Sequence, residues 1–483
     1  MLKCCIIIEI CYIKNPMRKV KNIMNLKEFF KIKSGEIKTF PGGIHPDDAK
    51  EQTNKKEIIS LDAPDILIFP LSQHIGAPAQ PCVKVGDEVK AGQKIGETSG
   101  FVSANIHSSV SGKVIAIEPK LHSNGTLVNS VIIENDRNYT PVDGISGNDY
   151  KKLSAAEIVD IVREAGIVGM GGATFPTHVK LSPPKDKKIE YAIINGAECE
   201  PYLTSDHRAM LETPDDIILG LKIIMKIFGL KTGYIAVESN KPDAISVMKE
   251  YASKETECEI KVITLQTKYP QGSEKHLIYA VTGRRVPRGK LPMDVGAVVD
   301  NIDTCASIAR AVSQGLPLTQ RIVTVSGDCV SNPSNYRVKI GTPVSYLLEK
   351  AGGLLAQPKK VIMGGPMMGT TLSSTDVPVI KGTSGILAFS EKNAEKIYSE
   401  ESCLRCGRCV KACPMKLLPN MLKLYSIADN FEMLEKYNAA ECIECGSCSY
   451  VCPALQHPVQ SIRIGKAKLR EWNMKKQEEK NNE

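Results

Sequence analysis

The apolar positions change rhythm along the chain, and each change predicts a different kind of element. From Ile66 to Ile133 apolar and polar residues alternate in short runs, Ile66 to Phe69, Val83 to Ile95, Val110 to Ile117 and Val128 to Ile133, interrupted by Gly86, Gly92 and Gly112. Period-two runs punctuated by glycine predict a small β sandwich or barrel. At Ser154 the period lengthens. Ser154 and Glu157 form a capping box, Ile158, Ile161, Val162 and Ala165 keep helical spacing, and Gly166 ends the helix. Strands and helices then alternate: strand Tyr191 to Ile194, helix Asp215 to Phe228, strand Tyr234 to Val237, helix Asp243 to Ala252, strand Ile260 to Leu265. That order predicts an α/β sandwich. A strand at Ile322 to Val325 and a helix ending at Lys350 open a smaller module, and Leu417 to Leu434 predicts a helical link between two cysteine runs.

Polar groups gather where the α/β strands end. The loop Gly169-Met-Gly171-Gly172 precedes Lys180, and glycines without Cβ let a backbone approach a flat ring or a phosphate that a lysine can neutralise. The loop matches neither a P-loop nor a Rossmann fingerprint, so the residues alone leave a plain turn equally open. The strand at Tyr191 runs into Asn195, Glu198 and Glu200, at the end of a strand where open sheets bind ligands. Tyr269-Pro-Gln-Gly272-Ser-Glu274 opens another helix at an anion-friendly N-terminus.

The cysteines decide the chemistry. Cys403, Cys406, Cys409 and Cys413 precede Pro414, and Cys442, Cys445, Cys448 and Cys452 precede Pro453, each run reading C-x2-C-x2-C-x3-C-P. In such a pair three thiolates of one loop hold one cubane and the fourth reaches the other. Cys403, Cys406, Cys409 and Cys452 are therefore assigned to one 4Fe-4S centre, and Cys442, Cys445, Cys448 and Cys413 to the other. Zinc sites space CxxC pairs further apart, and disulfide-dense chains are small and secreted. The chain has 483 residues, 42% hydrophobic and 24% charged, enough for three or four domains. Its net charge of +8 concentrates at the two ends, read as solvated terminal charge with no nucleic-acid partner. No apolar run approaches the roughly 20 residues of a spanning helix. Cys4 to Ile13 is short and broken by Glu9, and Met17 and Met24 follow, so 1–39 is expected to be a leader. Free cysteines point to a cytoplasmic setting.

Taken in order, the strand-end blocks resemble the flavin- and NADH-binding subunit of respiratory complex I. That family carries a GRGGAGFPTG-type loop, an NADESEPG-type loop, a Tyr-x-x-Gly-Glu-Glu block and an NNVET-type block; here they read Gly169 to Thr177, Asn195 to Pro201, Tyr269 to Glu274 and Asp300 to Thr304. With Gly43-Ile-His45-Pro46 and the tandem cysteine runs, the chain from about Phe40 to Lys466 resembles the C subunits of the Rnf ion-translocating ferredoxin:NAD oxidoreductases. The β region resembles lipoyl and biotinyl carriers, but the corresponding turn, Ser103 to Ser108, has no lysine to modify, so its use is structural and His107 is a turn residue.

This resemblance implies non-covalent FMN lined by Gly169, Gly171, Gly172 and Lys180, with Asn195, Glu198, Asn301 and Thr304 on its ring and ribityl chain. It implies that Glu200, Gly272 and Glu274 face NAD(H), the two glutamates in a catalytic role. Ala197, Ser273 and Asp300 depart from the complex I pattern. The organisation expected is an α/β multidomain chain: leader 1–39, lipoyl-like barrel-sandwich 40–150, FMN/NADH domain 151–318, β-grasp module 319–392, double 4Fe-4S domain 393–466 and charged tail 467–483. The implied function is NADH-linked electron transfer through FMN and two clusters, as an enzyme subunit peripheral to the cytoplasmic face of the cell membrane. Its partners would be integral-membrane and iron–sulfur subunits, with ferredoxin reached indirectly. A cobalamin reductase or a non-enzymatic polyferredoxin adaptor would share these parts.

Overall fold

The computed structural model describes residues 31–394 and 400–482; most of the expected leader lies outside them. The alternating runs form a barrel-sandwich. Strands Ile66–Pro70, Leu127–Asn135, Gly112–Leu121 and Glu88–Val89 make one antiparallel sheet, and Gln80–Pro81, Lys94–Glu97 and Ile106–His107 make a second. Leu67, Phe69, Ile95, Ile106, Val114 and Ile133 are fully buried between them. The turn where carriers display a lysine is itself buried: Asn105 Nδ2 donates to Glu164 Oε2 at 3.2 Å and Lys381 Nζ donates to the Asn105 carbonyl. Burial and Lys381 lower the His107 pKa to about 3, so its ring is neutral.

The central sheet is parallel, ordered Glu259–Leu265, Thr232–Glu238, Tyr191–Gly196, Ala297–Asn301. Its strands Tyr191–Gly196 and Ala297–Asn301 are mostly buried, as strands covered on both faces are. The edge strand Glu259–Leu265 alternates polar and apolar residues and is buried only at Leu265. Helix Ala155–Glu164 carries the expected capping box at Ser154, and helices Pro214–Phe228 and Ile302–Gln314 pack together on one face. The chain builds outward from Tyr191–Gly196 on one side, then returns to lay Ala297–Asn301 on the other. The strand order therefore reverses between these two strands, the position where open α/β sheets bind ligands.

The smaller module is a mixed sheet of Gln320–Ser326, Ser334–Lys339, Lys360–Met363, Thr370–Thr371 and Gly385–Phe389 with helix Val344–Lys350, and Ile58–Ser60 joins its edge. The cluster domain is helical, closed by the helix Pro458–Asn482.

Two segments pack differently from expectation. Residues 37–57 lie outside the two barrel sheets. Ile37 and Phe40 are buried, Lys38 N donates to the Thr264 carbonyl at 2.8 Å, and Ile44 N donates to the Tyr269 carbonyl at 2.8 Å, so the segment straps across the central domain. The charged tail is no separate unit either, because its helix starts at Pro458, buries Leu469 and sets Trp472 5.9 Å from Phe431.

A strand-end crevice beside a two-cluster domain

Asn195 and Asn301 are register partners across the reversal point, and the other predicted residues assemble around them. Asn195 Nδ2 donates to the Gly272 carbonyl at 2.8 Å. Asn301 caps its helix by accepting from Asp303 N and donates from Nδ2 to Asp206 Oδ2 at 2.6 Å. Thr304 Oγ1 accepts from Met170 N at 2.8 Å, which hangs the glycine loop over the end of the strand. Lys180 Nζ donates to Glu274 Oε1 at 3.0 Å and to the Val299 carbonyl at 2.9 Å. Burial disfavours the charge on Lys180, but Glu274 and Asp300 more than offset it and its pKa is raised. Gly169 N donates to the Phe175 carbonyl and closes the loop base.

Glu198 and Glu200 leave the crevice in different directions. Glu198, with φ 47°, turns its carboxylate onto the N-terminus of helix Ser205–Glu212, accepting from Asp206 N at 2.7 Å. Glu200 accepts from Met367 N and Met368 N at 3.0 Å each, so it binds the Gly364–Gly369 loop of the small module. Burial pushes its carboxyl up to about 7. Lys50 donates to the carbonyls of Glu198, Glu200 and Leu203 and thereby pins the turn between them.

The cysteine runs divide by neighbourhood. Cys413, Cys442, Cys445 and Cys448 lie in one electrostatic neighbourhood: Cys448 feels Cys445, Cys442 and Cys413. Cys409 feels Cys452. Both groupings exchange each run's fourth cysteine. The first set sits against the central domain: Tyr269 Oη donates to the Cys445 carbonyl at 2.8 Å, and His276 Nε2 is 3.1 Å from the Pro414 carbonyl. Lys275 pairs with Glu441 at 3.0 Å. Cys445 and Cys448 are buried, whereas Cys403 and Cys406 are exposed.

Sequence reasoning missed Lys50, Asp206 and the state of Asp300. Lys50 gave no signal, standing 150 positions before Glu200 in a turn-rich stretch. Both Asp300 oxygens are buried with no hydrogen-bond partner among the described residues, and burial raises the carboxyl to about 6 against the opposing Lys180 charge. A buried acceptor of this kind needs a donor or a proton. FMN fits the crevice on two counts. Its hydroxyls and imide N–H are donors for Asp300, and Gly172, at φ 121°, faces open space where a Cβ would otherwise project. The grouping of Cys413 with Cys442, Cys445 and Cys448, and of Cys409 with Cys452, is the exchange of a fourth ligand that two cubanes require.

Four family models match successive parts of the chain. Residues 38–138 match the RnfC barrel sandwich hybrid domain, 162–310 the Nuo51 FMN-binding domain, 322–371 the SLBB domain and 395–453 the 4Fe-4S dicluster domain. The chain is 50% identical over 436 residues, 90% of its length and 94% of the relative's, to the C subunit of the proton-translocating ferredoxin:NAD(+) oxidoreductase complex of Clostridium ljungdahlii. The chain belongs to this Rnf C-subunit family. The C subunit of a Na(+)-translocating ferredoxin:NAD(+) oxidoreductase complex from Acetobacterium woodii is 48% identical over 89% of this chain and 97% of that one. The C subunit of an ion-translocating oxidoreductase complex from Rhodobacter capsulatus is 43% identical over 90% and 84%. A chain of an NAD+-reducing NiFe hydrogenase is similar at 18% identity and TM-score 0.45, covering 66% of this chain and 63% of that one. As a family member the chain carries an FMN-binding domain and a 4Fe-4S dicluster domain, the parts of an electron-transfer subunit. Among the described residues no helix is long and apolar enough to cross a membrane.

Proposed function

We propose that this subunit itself oxidises NADH, or reduces NAD+, at the strand-end crevice and relays the electrons through two 4Fe-4S clusters to membrane subunits of an ion-translocating ferredoxin:NAD oxidoreductase. The observation that carries the reading is that one short segment, the turn from Tyr269 and the helix start through His276, serves both sites. Its Glu274 pairs with Lys180 in the crevice, while its Tyr269 and His276 reach the backbone at Cys445 and Pro414.

When bound, FMN supplies the exchange between a hydride and the single electrons that a cubane takes up. The chain's own residues do the rest. Gly169, Gly171 and Gly172 admit a flat ring, Lys180 offers its ammonium to a phosphate, and Asn195, Asn301, Thr304 and Asp300 supply hydrogen-bonding groups along the crevice. Glu274 and Gly272 face the approach of the nicotinamide nucleotide. Glu200, tied to Met367 and Met368, holds the small module against the loop and acts on the nucleotide through that position. Cys413, Cys442, Cys445 and Cys448 would hold the cluster next to the crevice, and Cys403, Cys406, Cys409 and Cys452 the outer one. Ion transport would fall to membrane-spanning partners, with this subunit docked on the cytoplasmic face and ferredoxin at the far end of the complex.

The test is an absorption spectrum of the anaerobically purified subunit before and after NADH. Bleaching of a flavin band followed by loss of the broad cluster absorbance is expected. A flavin that NADH leaves oxidised while dithionite bleaches it would overturn the reading.

A further inference from the structure

The two arms of the cluster domain carry opposite charge. From Ser402 to Ala428 there are five cations, Arg405, Arg408, Lys411, Lys416 and Lys423, and no acid, whereas Asp429 to Leu455 has five acids and one cation, Lys436. Three of those five acids pair within the chain. Asp429 pairs with Lys468 at 2.7 Å, Glu441 with Lys275 at 3.0 Å, and Glu444 with Lys466 at 2.7 Å. On the basic arm Lys423 pairs with Glu400. Arg405, Arg408, Lys411 and Lys416 are exposed and form no ion pair among the described residues. They are interspersed along and just after the run whose Cys403 and Cys406 are exposed, and Leu404 between those cysteines is 67% exposed. Unpaired charges of one sign make a positive field at the exposed cysteine run, which favours an acidic partner there.

We propose that this collar is the docking surface for an acidic, cofactor-bearing face of another subunit of the same membrane complex, the point where electrons leave the chain. The inference rests on the functional reading above and adds the exit surface to it. Complementary charge sets the register and speeds the encounter, while Leu404 supplies the contact that excludes water at the centre. An anionic lipid surface would match the charge but would cover the outer cluster with headgroups that accept no electrons.

The test uses the purified complex. A zero-length carbodiimide, which couples lysine to a touching carboxylate, is expected to join Lys411 or Lys416 to another subunit, with the yield falling as salt rises. In parallel, the variant Arg408→Glu with Lys411→Glu and Lys416→Glu is expected to leave washed membranes at an ionic strength at least about twofold lower than the parent, because opposite-charge attraction becomes repulsion. Its iron content and NADH-driven flavin bleaching are expected to match the parent; if iron is lost, Lys416→Glu alone carries the same comparison. Absence of cross-links together with an unchanged release salt overturns the proposal. So does loss of binding by the triple variant to protein-free phosphatidylglycerol vesicles with retention in the complex unchanged, which would assign the collar to lipid. Failure of the parent's flavin to bleach with NADH would instead strike the functional reading, and the cross-link readout does not depend on it.

Discussion

The phenol of Tyr269 donates to the main-chain carbonyl of Cys445 at 2.8 Å, tying the loop that carries Glu274 to the buried cysteine run. Both groups are buried, so neither can exchange this bond for water. Tyr269→Phe keeps the packing and leaves the carbonyl unpaired, at a cost of about 1–3 kcal/mol. The expected outcome is a lower anaerobic melting temperature, flavin bleaching by NADH at the parent rate, and slower passage of electrons from flavin to cluster, followed by stopped-flow at flavin and cluster wavelengths.

If the fourth cysteine of each run serves the other run's centre, Cys413→Ala damages the cluster of Cys442, Cys445 and Cys448, and Cys452→Ala that of Cys403, Cys406 and Cys409. The parent, reconstituted anaerobically, is expected to hold about eight iron and eight sulfide per chain, as two cubanes require. Each variant is expected to lose roughly half of this. Iron and sulfide analysis with low-temperature paramagnetic resonance identifies the surviving centre. Zinc in place of iron would sink the assignment.

Much of this architecture was legible because it is periodic. The helix read as Asp215 to Phe228 is Pro214–Phe228, and the strand read as Ile260 to Leu265 is Glu259–Leu265. The strap at 37–57 was not legible. Its Gly/Pro turns carry no period, and its partners, Tyr269 for Ile44 and Glu200 for Lys50, lie far along the chain. Glu198 and Glu200 show the other limit. They are two positions apart, and sequence order groups them, yet the positive φ at Glu198 sends one carboxylate to a helix N-terminus and leaves the other to the small module. Asp300 was visible only as a departure from a family pattern; its lack of a partner is a property of the packed strand.

Asp300 makes the pH dependence of the flavin-free protein specific. Its folded pKa is raised from 3.8 to about 6, so the native state holds a proton that the unfolded chain has released, and stability falls as pH rises from about 4 through 6. Above that window the full penalty applies, at most about 3 kcal/mol for such a shift. Asp300→Asn is therefore expected to stabilise the flavin-free protein at pH 8 and to change little at pH 4, read by thermal unfolding across pH. With FMN bound the gain should shrink, because ligand donors then satisfy the carboxylate. An equal gain with and without FMN would place the flavin elsewhere.

Lys180→Ala separates the crevice from the cluster domain. Removing a charged partner of a phosphate costs about 1.5–3 kcal/mol, or roughly ten- to more than a hundredfold in the dissociation constant for FMN. Iron content is expected to remain that of the parent, since the cluster ligands belong to a separate helical unit. Flavin retention on gel filtration and iron analysis are measured on one preparation, and parallel loss of both with the fold preserved would count against this division.

The sharpest prediction sets Glu274 against Glu200. Glu274 stands at the start of its helix with its carboxylate on Lys180 and about 38% of its side chain exposed, where an arriving nucleotide can reach it. Glu200 is committed to Met367 N and Met368 N. Replacing either by Gln keeps the shape and removes the charge. If Glu274 orients the nucleotide, losing a charged hydrogen bond worth about 1.5–3 kcal/mol slows hydride delivery roughly ten- to more than a hundredfold when the loss is felt in the transition state. Glu200→Gln presents an amide to one of two backbone donors and so loosens the small module; its effect on NADH is expected to be smaller and to come with a lower melting temperature. Dithionite needs no nucleotide pocket, so its bleaching rate should match the parent in both variants and serves as the internal control. The measurement is anaerobic stopped-flow with each reductant in turn. Should Glu274→Gln match the parent with NADH, the carboxylate only anchors Lys180, and the nucleotide is positioned by the backbone at Gly272.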